Sequence, residues 1–174
     1  MLEKFRPNLY IRDFQQLDLA VLKDKGIKLL LCDIDNTMVP PDQKVISSEA
    51  RAFCETAKSQ KIQVMFVSNN NQKRVEKFVD DSGFLGIWTA LKPLSFGFAK
   101  AIKKAGVSTR ETAVLGDQLL TDIYGAKRSG LLAIKSEPLV QRDLPITRLN
   151  RFFERWIQKQ LDNKYPHETG VYYD

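Results

Sequence analysis

The stretch LLLCDIDNTMVPP (residues 29–41) decides how the chain is read. An apolar run suited to a strand ends by placing two carboxylates two residues apart, then a threonine, then two prolines. Strand interiors tolerate aspartate poorly, so packing does not account for the pair. The run IKLLLC (27–32) lacks polar alternation, as a strand covered on both faces does, and the carboxylates then stand at the end of a central strand.

Working outward, IQVMFVSNN (62–70) gives a second buried strand, and Ser47 or Ser48 caps the helix between, with Ala50, Phe53 and Ala57 on one face. Upstream, DLAVLKDKG (18–26) fits a short helix closed by Gly26. Downstream come a helix through Val75, Phe78 and Val79 ending near Gly83, and a short strand around IWTA (87–90). LKPLSFGFAKAIKKAG (91–106) sets Leu94, Phe98, Ala101, Ile102 and Ala105 at helical spacing, with Pro93 near the start and Gly106 past the end. TAVLGD (112–117) is a strand, LLTDIYGAKRSG (119–130) a helix capped by Gly130, and LLAIK (131–135) another strand. Such alternation predicts an α/β fold with a parallel, doubly wound sheet, in one domain over residues 1–174.

Composition narrows the function. The 174 residues suffice to bury roughly 70% of the unfolded surface. With 43% hydrophobic and 28% charged residues, the chain has no apolar run near the ~20 residues of a membrane span. MLEKFRPNLY lacks the apolar core of a secretory signal, and a cytoplasmic protein is expected. Cys32 and Cys54 belong to no ligand pattern and are read as buried free thiols; no arginine-containing phosphate loop follows Cys32. A single His167 leaves little material for a zinc site or a Ser-His-Asp triad. The net charge of +6 favours an anionic partner: a phosphorylated substrate, nucleic acid or an acidic membrane surface.

Ligands of open α/β sheets bind outside the carboxyl ends of the strands. The unusual polar residues gather there: Asp33 and Asp35 after the first strand, Ser68, Asn69 and Asn70 after the second, Lys92 after the short third, and Asp117 and Asp122 after the fourth. Taken singly, each has an ordinary reading as a turn, a cap or an element boundary. Their agreement in order and position overrides those readings. The chemistry that fits is phosphoryl transfer through an aspartyl-phosphate. Repulsion between an anionic nucleophile and an anionic substrate calls for Mg²⁺ on hard oxygen ligands. Lysine, hydroxyl and amide donors hold the phosphate oxygens, and a second carboxylate handles the proton.

DIDNT (33–37), VSN (67–69), KP (92–93) and GDQLLTD (116–122) resemble, in order, the four motifs of the haloacid dehalogenase (HAD) superfamily of phosphotransferases. The resemblance implies that Asp33 is nucleophile and metal ligand, and that Asp35 is general acid/base and gives a backbone carbonyl to Mg²⁺. It implies that Thr37 supports the loop, that Ser68 binds phosphate with the Asn69 backbone nearby, and that Lys92 neutralises phosphate and nucleophile. Asp117 would ligate the metal and Asp122 act one shell further out. About thirty residues separate Thr37 from Ser68, and about twenty Asn70 from Lys92, too few for an inserted cap domain. An uncapped site suits a substrate whose own bulk or surface covers it. The short layout, with DIDNT, VSNN and GDQLLTD, is similar to the YqeG family of subfamily IIIA, which resembles phosphatases that convert phosphatidylglycerophosphate to phosphatidylglycerol.

RLNRFFERWIQKQL (148–161) bears on that substrate. Within a helix expected over about 146–161 and followed by a polar tail, 162–174, it sets Leu149, Phe152, Phe153, Trp156, Ile157 and Leu161 on one stripe, with Arg148, Arg151, Arg155 and Lys159 beside or opposite it. Such a helix either packs on the domain as its last element or lies on an anionic membrane, at the inner face for a cytoplasmic protein. The leading reading is a Mg²⁺-dependent lipid-phosphate phosphatase. The alternatives are a soluble phosphatase for a nucleotide, a polynucleotide end or another phosphoester, and, ranked last for want of any nucleic-acid motif, a non-catalytic nucleic-acid or ribosome-binding module.

Overall fold

The strand that carries the opening stretch, β2 (Leu29–Cys32), has all four residues buried and lies inside a sheet. The computed structural model describes residues 2–80, 82–140 and 148–173, the side chains of 148–153 excepted. Around β2 stand β1 (Leu9–Ile11), β3 (Gln63–Val67), β4 (Leu85–Ile87), β5 (Thr112–Gly116) and β6 (Leu132–Ser136), all parallel, in the order β1-β6-β5-β2-β3-β4. The chain leaves β2 towards β3 and later returns to pair β5 with the other side of β2. The order therefore reverses at β2, which is where sheets of this type bind ligands.

The alternation along β2 sorts the helices. Leu30 and Cys32 face a cluster completed by Leu19 and Leu22 of α1 (Leu19–Asp24), Ala50, Cys54 and Ala57 of α2 (Ser48–Ser59), and Val75 and Phe78 of α3 (Gln72–Val79). Leu29 and Leu31 face Phe98 and Ala101 of α4 (Phe96–Ala105), Leu119 and Ile123 of a π-helical turn (Leu119–Tyr124), Ala126 of α5 (Gly125–Arg128) and Leu161 of α6 (Arg148–Lys164). The doubly wound α/β sheet expected from the sequence is thus present. Among the described residues the only helix between β2 and β3 is α2, and the only one between β3 and β4 is α3, with no cap domain inserted there.

Local chemistry sets the ends. Ser47 Oγ accepts from the Ala50 amide to start α2, and Gly106, at φ 70°, closes α4. Of the boundaries that differ from the sequence reading, three lie along the chain that carries the second and third motifs. Where 62–70 was expected, β3 stops at Val67, because the Ser68 hydroxyl turns back to accept from the Asn70 amide. The short strand is Leu85–Ile87 rather than 87–90, since Thr89 and Leu91 take positive φ (47° and 57°) and end the extended run. Leu94, placed on the α4 stripe from its spacing, precedes the helix and is 42% exposed.

The segment LYI (9–11), to which the sequence reading gives no element, forms β1 and pairs with β6. The last described residues cover its free edge: Tyr172 pairs antiparallel with Leu9, the Tyr173 amide donates to the Asn8 carbonyl (2.6 Å), and His167 stacks on Tyr10 (3.7 Å). On α6, Leu161 is buried and Ile157 packs beside it, whereas Trp156 is 57% exposed. Residues 146–147 and the side chains of Arg148, Leu149, Arg151, Phe152 and Phe153 lie outside the described set.

Both cysteines are buried and unpaired, as read from the sequence. Burial pushes both thiols up, Cys54 to about 12. Iodoacetamide is expected to leave both unmodified in the native protein and to modify both in urea, as read by intact mass. Rapid native labelling of Cys32 would contradict the burial of β2.

Candidate active site

Each residue of the opening motif has a different task. Asp33 leaves β2 with its amide donating to the Leu115 carbonyl (2.9 Å), which extends the pairing with β5. Ile34 enters the core. The Asp35 carboxylate turns to α3. Asn36, in the left-handed region at φ 70°, accepts from the Leu139 and Val140 amides and ties the motif to the chain beyond β6. Thr37 Oγ1 donates to Asp117 Oδ1 (3.4 Å), linking the ends of β2 and β5. The Met38 and Val39 amides both reach back to the Ile34 carbonyl, so the motif closes as a tight turn.

Lys92 is the centre of the cluster. Its Nζ donates to Asp33 Oδ1 and Asp122 Oδ1, both at 2.6 Å, with all three side chains buried. Its backbone is held by one side chain: Asn69 Oδ1 accepts from the Lys92 amide (2.7 Å) and Asn69 Nδ2 donates to the Lys92 carbonyl (2.9 Å). The second motif thereby fixes the third. Ser68 is buried, and its carbonyl and amide are taken by the chain on either side of Trp88. Gly116 lets the fourth motif close in, because a Cβ there would overlap the Asp122 carboxylate. Asp122 Oδ2 accepts from the Gln118 amide, which aims Asp122 Oδ1 at Lys92.

Asp33, Asp117 and Asp122 offer oxygens that all lie within 4.8 Å of one another. Burial pushes the Asp33 carboxyl up to about 7, against the pull of Lys92, and the charges of Asp122 and Asp35 add to the rise. Burial also opposes the Lys92 ammonium, but Asp122 and Asp33 outweigh it and hold the amine above the ordinary lysine range. Asp33 and Asp122 thus share one buried ammonium, and Asp117 adds a third buried carboxylate beside them. Such a surplus of hard oxygen donors fits a divalent cation of the Mg²⁺ type.

The residues expected from the sequence therefore meet at one edge, with one division. Asp33, Lys92, Asp117 and Asp122 form the buried cluster, Thr37 and Asn69 brace it, and Ser68 lies at the end of the neighbouring strand. The Asp35 carboxylate stands apart from the acidic group, held by Arg74 and Asn70. Sequence reasoning missed Arg74, the side-chain task of Asn69, and Glu154, whose Oε1 accepts from the Leu120 amide and fastens α6 beside the fourth motif. It also missed Lys135, opposite Gly116 on β6, whose amine burial lowers against the opposing charge of Asp117.

Residues 4–130 match the family model described as haloacid dehalogenase-like hydrolase. The chain is 34% identical to "Probable phosphatase YqeG" of Bacillus subtilis over 165 residues, covering 94% of this chain and 96% of that one. It is 30% identical over 172 residues to the chloroplastic/mitochondrial phosphatidylglycerophosphate phosphatase 1 of Arabidopsis thaliana, covering 89% of this chain but only 49% of the plant protein. Among solved structures, the 3-deoxy-D-manno-octulosonate 8-phosphate phosphatase of Moraxella catarrhalis, in complex with magnesium ion, phosphate ion and KDO, superposes with a TM-score of 0.50 at 13% identity, over 84% of this chain and 99% of that one. At that identity the superposition shows a shared fold.

Proposed function

The chain belongs to the haloacid dehalogenase-like hydrolase family and is a phosphatase; from that premise we propose that the Asp33–Lys92–Asp122 cluster is its phosphoryl-transfer centre. The observation that carries this reading is the buried surplus of carboxylate around one lysine at the sheet's reversal point. In it, Asp33 attacks phosphorus and the bond from phosphorus to the ester oxygen breaks. Asp35 gives its proton to the departing alcohol. Asp35 then takes a proton from the water that attacks the aspartyl-phosphate, which releases inorganic phosphate and restores Asp33. Lys92 and the Ser68 hydroxyl hold the phosphate oxygens, the hydroxyl through the hydrogen left free once its oxygen accepts from Asn70. Asp33, Asp117 and the Asp35 carbonyl hold Mg²⁺, with Asp122 bracing Lys92. Bound there, the ion neutralises charge between the carboxylates and the phosphate.

The substrate we propose is a lipid phosphate, phosphatidylglycerophosphate, met at an anionic membrane. The plant relative supports the headgroup. The rim supports the surface: Leu91, Leu94 and Phe96 flank Lys92 in sequence and are 52%, 42% and 72% exposed, on a protein of net charge +6. No helix among the described residues is long and apolar enough to cross a membrane, so contact would be peripheral. Phosphate release from phosphatidylglycerophosphate in mixed micelles is expected to require Mg²⁺ and to fall at least ~10³-fold with EDTA, by the loss of charge neutralisation. Turnover of 4-nitrophenyl phosphate without release from the lipid would keep the mechanism and discard the substrate.

A further inference from the structure

Arg74 lies in the first turn of α3, where the helix dipole opposes a cation, so helix stability does not call for it. Its guanidinium instead gathers three acceptors from the chain leaving β2. Nη2 donates to Asp35 Oδ1 (2.7 Å) and to the Gln43 carbonyl (2.9 Å), and Nη1 donates to the Lys44 carbonyl (3.2 Å). The group lies over the Phe78 ring (5.6 Å), and its side chain is only 13% exposed. The two carbonyls and the ring hold the guanidinium independently of Asp35. A pre-set fork therefore meets a carboxylate that is itself 25% exposed. Asn70 Nδ2 reaches the other oxygen, Asp35 Oδ2, at 3.3 Å.

We propose that Arg74 is the positioning residue for proton transfer at this site, fixing the orientation of Asp35 and joining it to the strap at residues 43–44. The proposal rests on the acid/base reading of Asp35. Removing Arg74 leaves Asp35 chemically intact but held by the longer Asn70 contact in place of the 2.7 Å ion pair, and misplacement of about 1 Å suffices to slow a reaction ~10²-fold. The loss falls on both proton transfers that use Asp35, but only the first, departure of the alcohol, depends on the leaving group, and kcat/KM reports that step without the second.

Phenyl phosphate and 4-nitrophenyl phosphate separate that step from the rest, because they are similar in shape and phenoxide is a much more basic leaving oxyanion than 4-nitrophenoxide. Arg74→Ala is expected to lower kcat/KM for phenyl phosphate ~100-fold and for 4-nitrophenyl phosphate less than ~10-fold. Arg74→Lys should fall between native and Arg74→Ala, since it keeps the charge without the fork, and added guanidinium ion should recover part of the phenyl phosphate activity of Arg74→Ala. Asp35→Asn should show the same asymmetry, and the double variant should be no slower than Asp35→Asn alone. Equal losses of kcat/KM on the two substrates in both Arg74 variants would overturn the proposal, as would asymmetry confined to Asp35→Asn. If Asp35→Asn shows no asymmetry, the acid/base reading falls and this proposal falls with it.

Discussion

Asp33→Asn is expected to abolish phosphate release while making the chelated protein more resistant to heat. The first effect follows from chemistry, because an amide does not attack phosphorus; a loss on the order of 10⁴-fold or more is expected for a missing nucleophile. The second follows from burial. An Asp33 carboxyl raised from 3.8 to about 7 binds a proton in the folded state that the unfolded chain has already released. Between those values the folded protein holds more protons, so without metal its stability falls as pH rises through about 4 to 7. By pH 8 the full penalty, on the order of 4 kcal/mol, applies to the native carboxylate, and the asparagine is free of it. Thermal unfolding in EDTA should show Asp33→Asn above the native protein at pH 8 and the gap narrowing by pH 5. A variant less stable than native at pH 8 would mean that the carboxylate is not burdened as the geometry implies.

Lys92→Ala is expected to cost both activity and fold. Its ammonium stands 2.6 Å from two buried carboxylates, and removing one partner of a buried pair typically costs about 3–5 kcal/mol because the charges left behind have no compensation. Urea midpoints in EDTA should drop accordingly with little change in slope, and Mg²⁺ should restore part of the loss by taking the place of the missing cation. Turnover under saturating Mg²⁺ should remain ~10²–10³-fold below native, as for other charge stabilisers. Near-native stability in EDTA would show that Asp33 and Asp122 do not share this cation in solution.

Much of this site was legible because its signal is local. DIDNT, VSN, KP and GDQLLTD each follow a strand, and a parallel sheet brings strand ends to one edge without further information. The braces were harder to see. Asn69 holds Lys92 across 23 residues and Arg74 holds Asp35 across 39, contacts that no periodicity encodes. Arg74 did leave one trace: with Lys73 it places two cations at the positive end of α3, an arrangement that calls for an anion nearby. β1 escaped because three residues are too few for a period to register, and its pairing with β6 is set by residues 125 positions away in sequence.

The C-terminal strap, residues 167–173 along the free edge of β1, bears on the order in which the molecule assembles. Asn8 and Tyr173 meet across 165 residues, and β1 has nothing to pair with until β6 is in place. β2, β3 and β4 need only short crossovers through α2 and α3. Closing a long loop becomes favourable only when a finished surface waits at the other end. The edge formed by β1 and the strap is thus the last part of the sheet to settle and the first to fray. Because Asp33, Lys92, Asp117 and Asp122 all stand on the other side of β6, that edge can open while the cluster keeps its geometry.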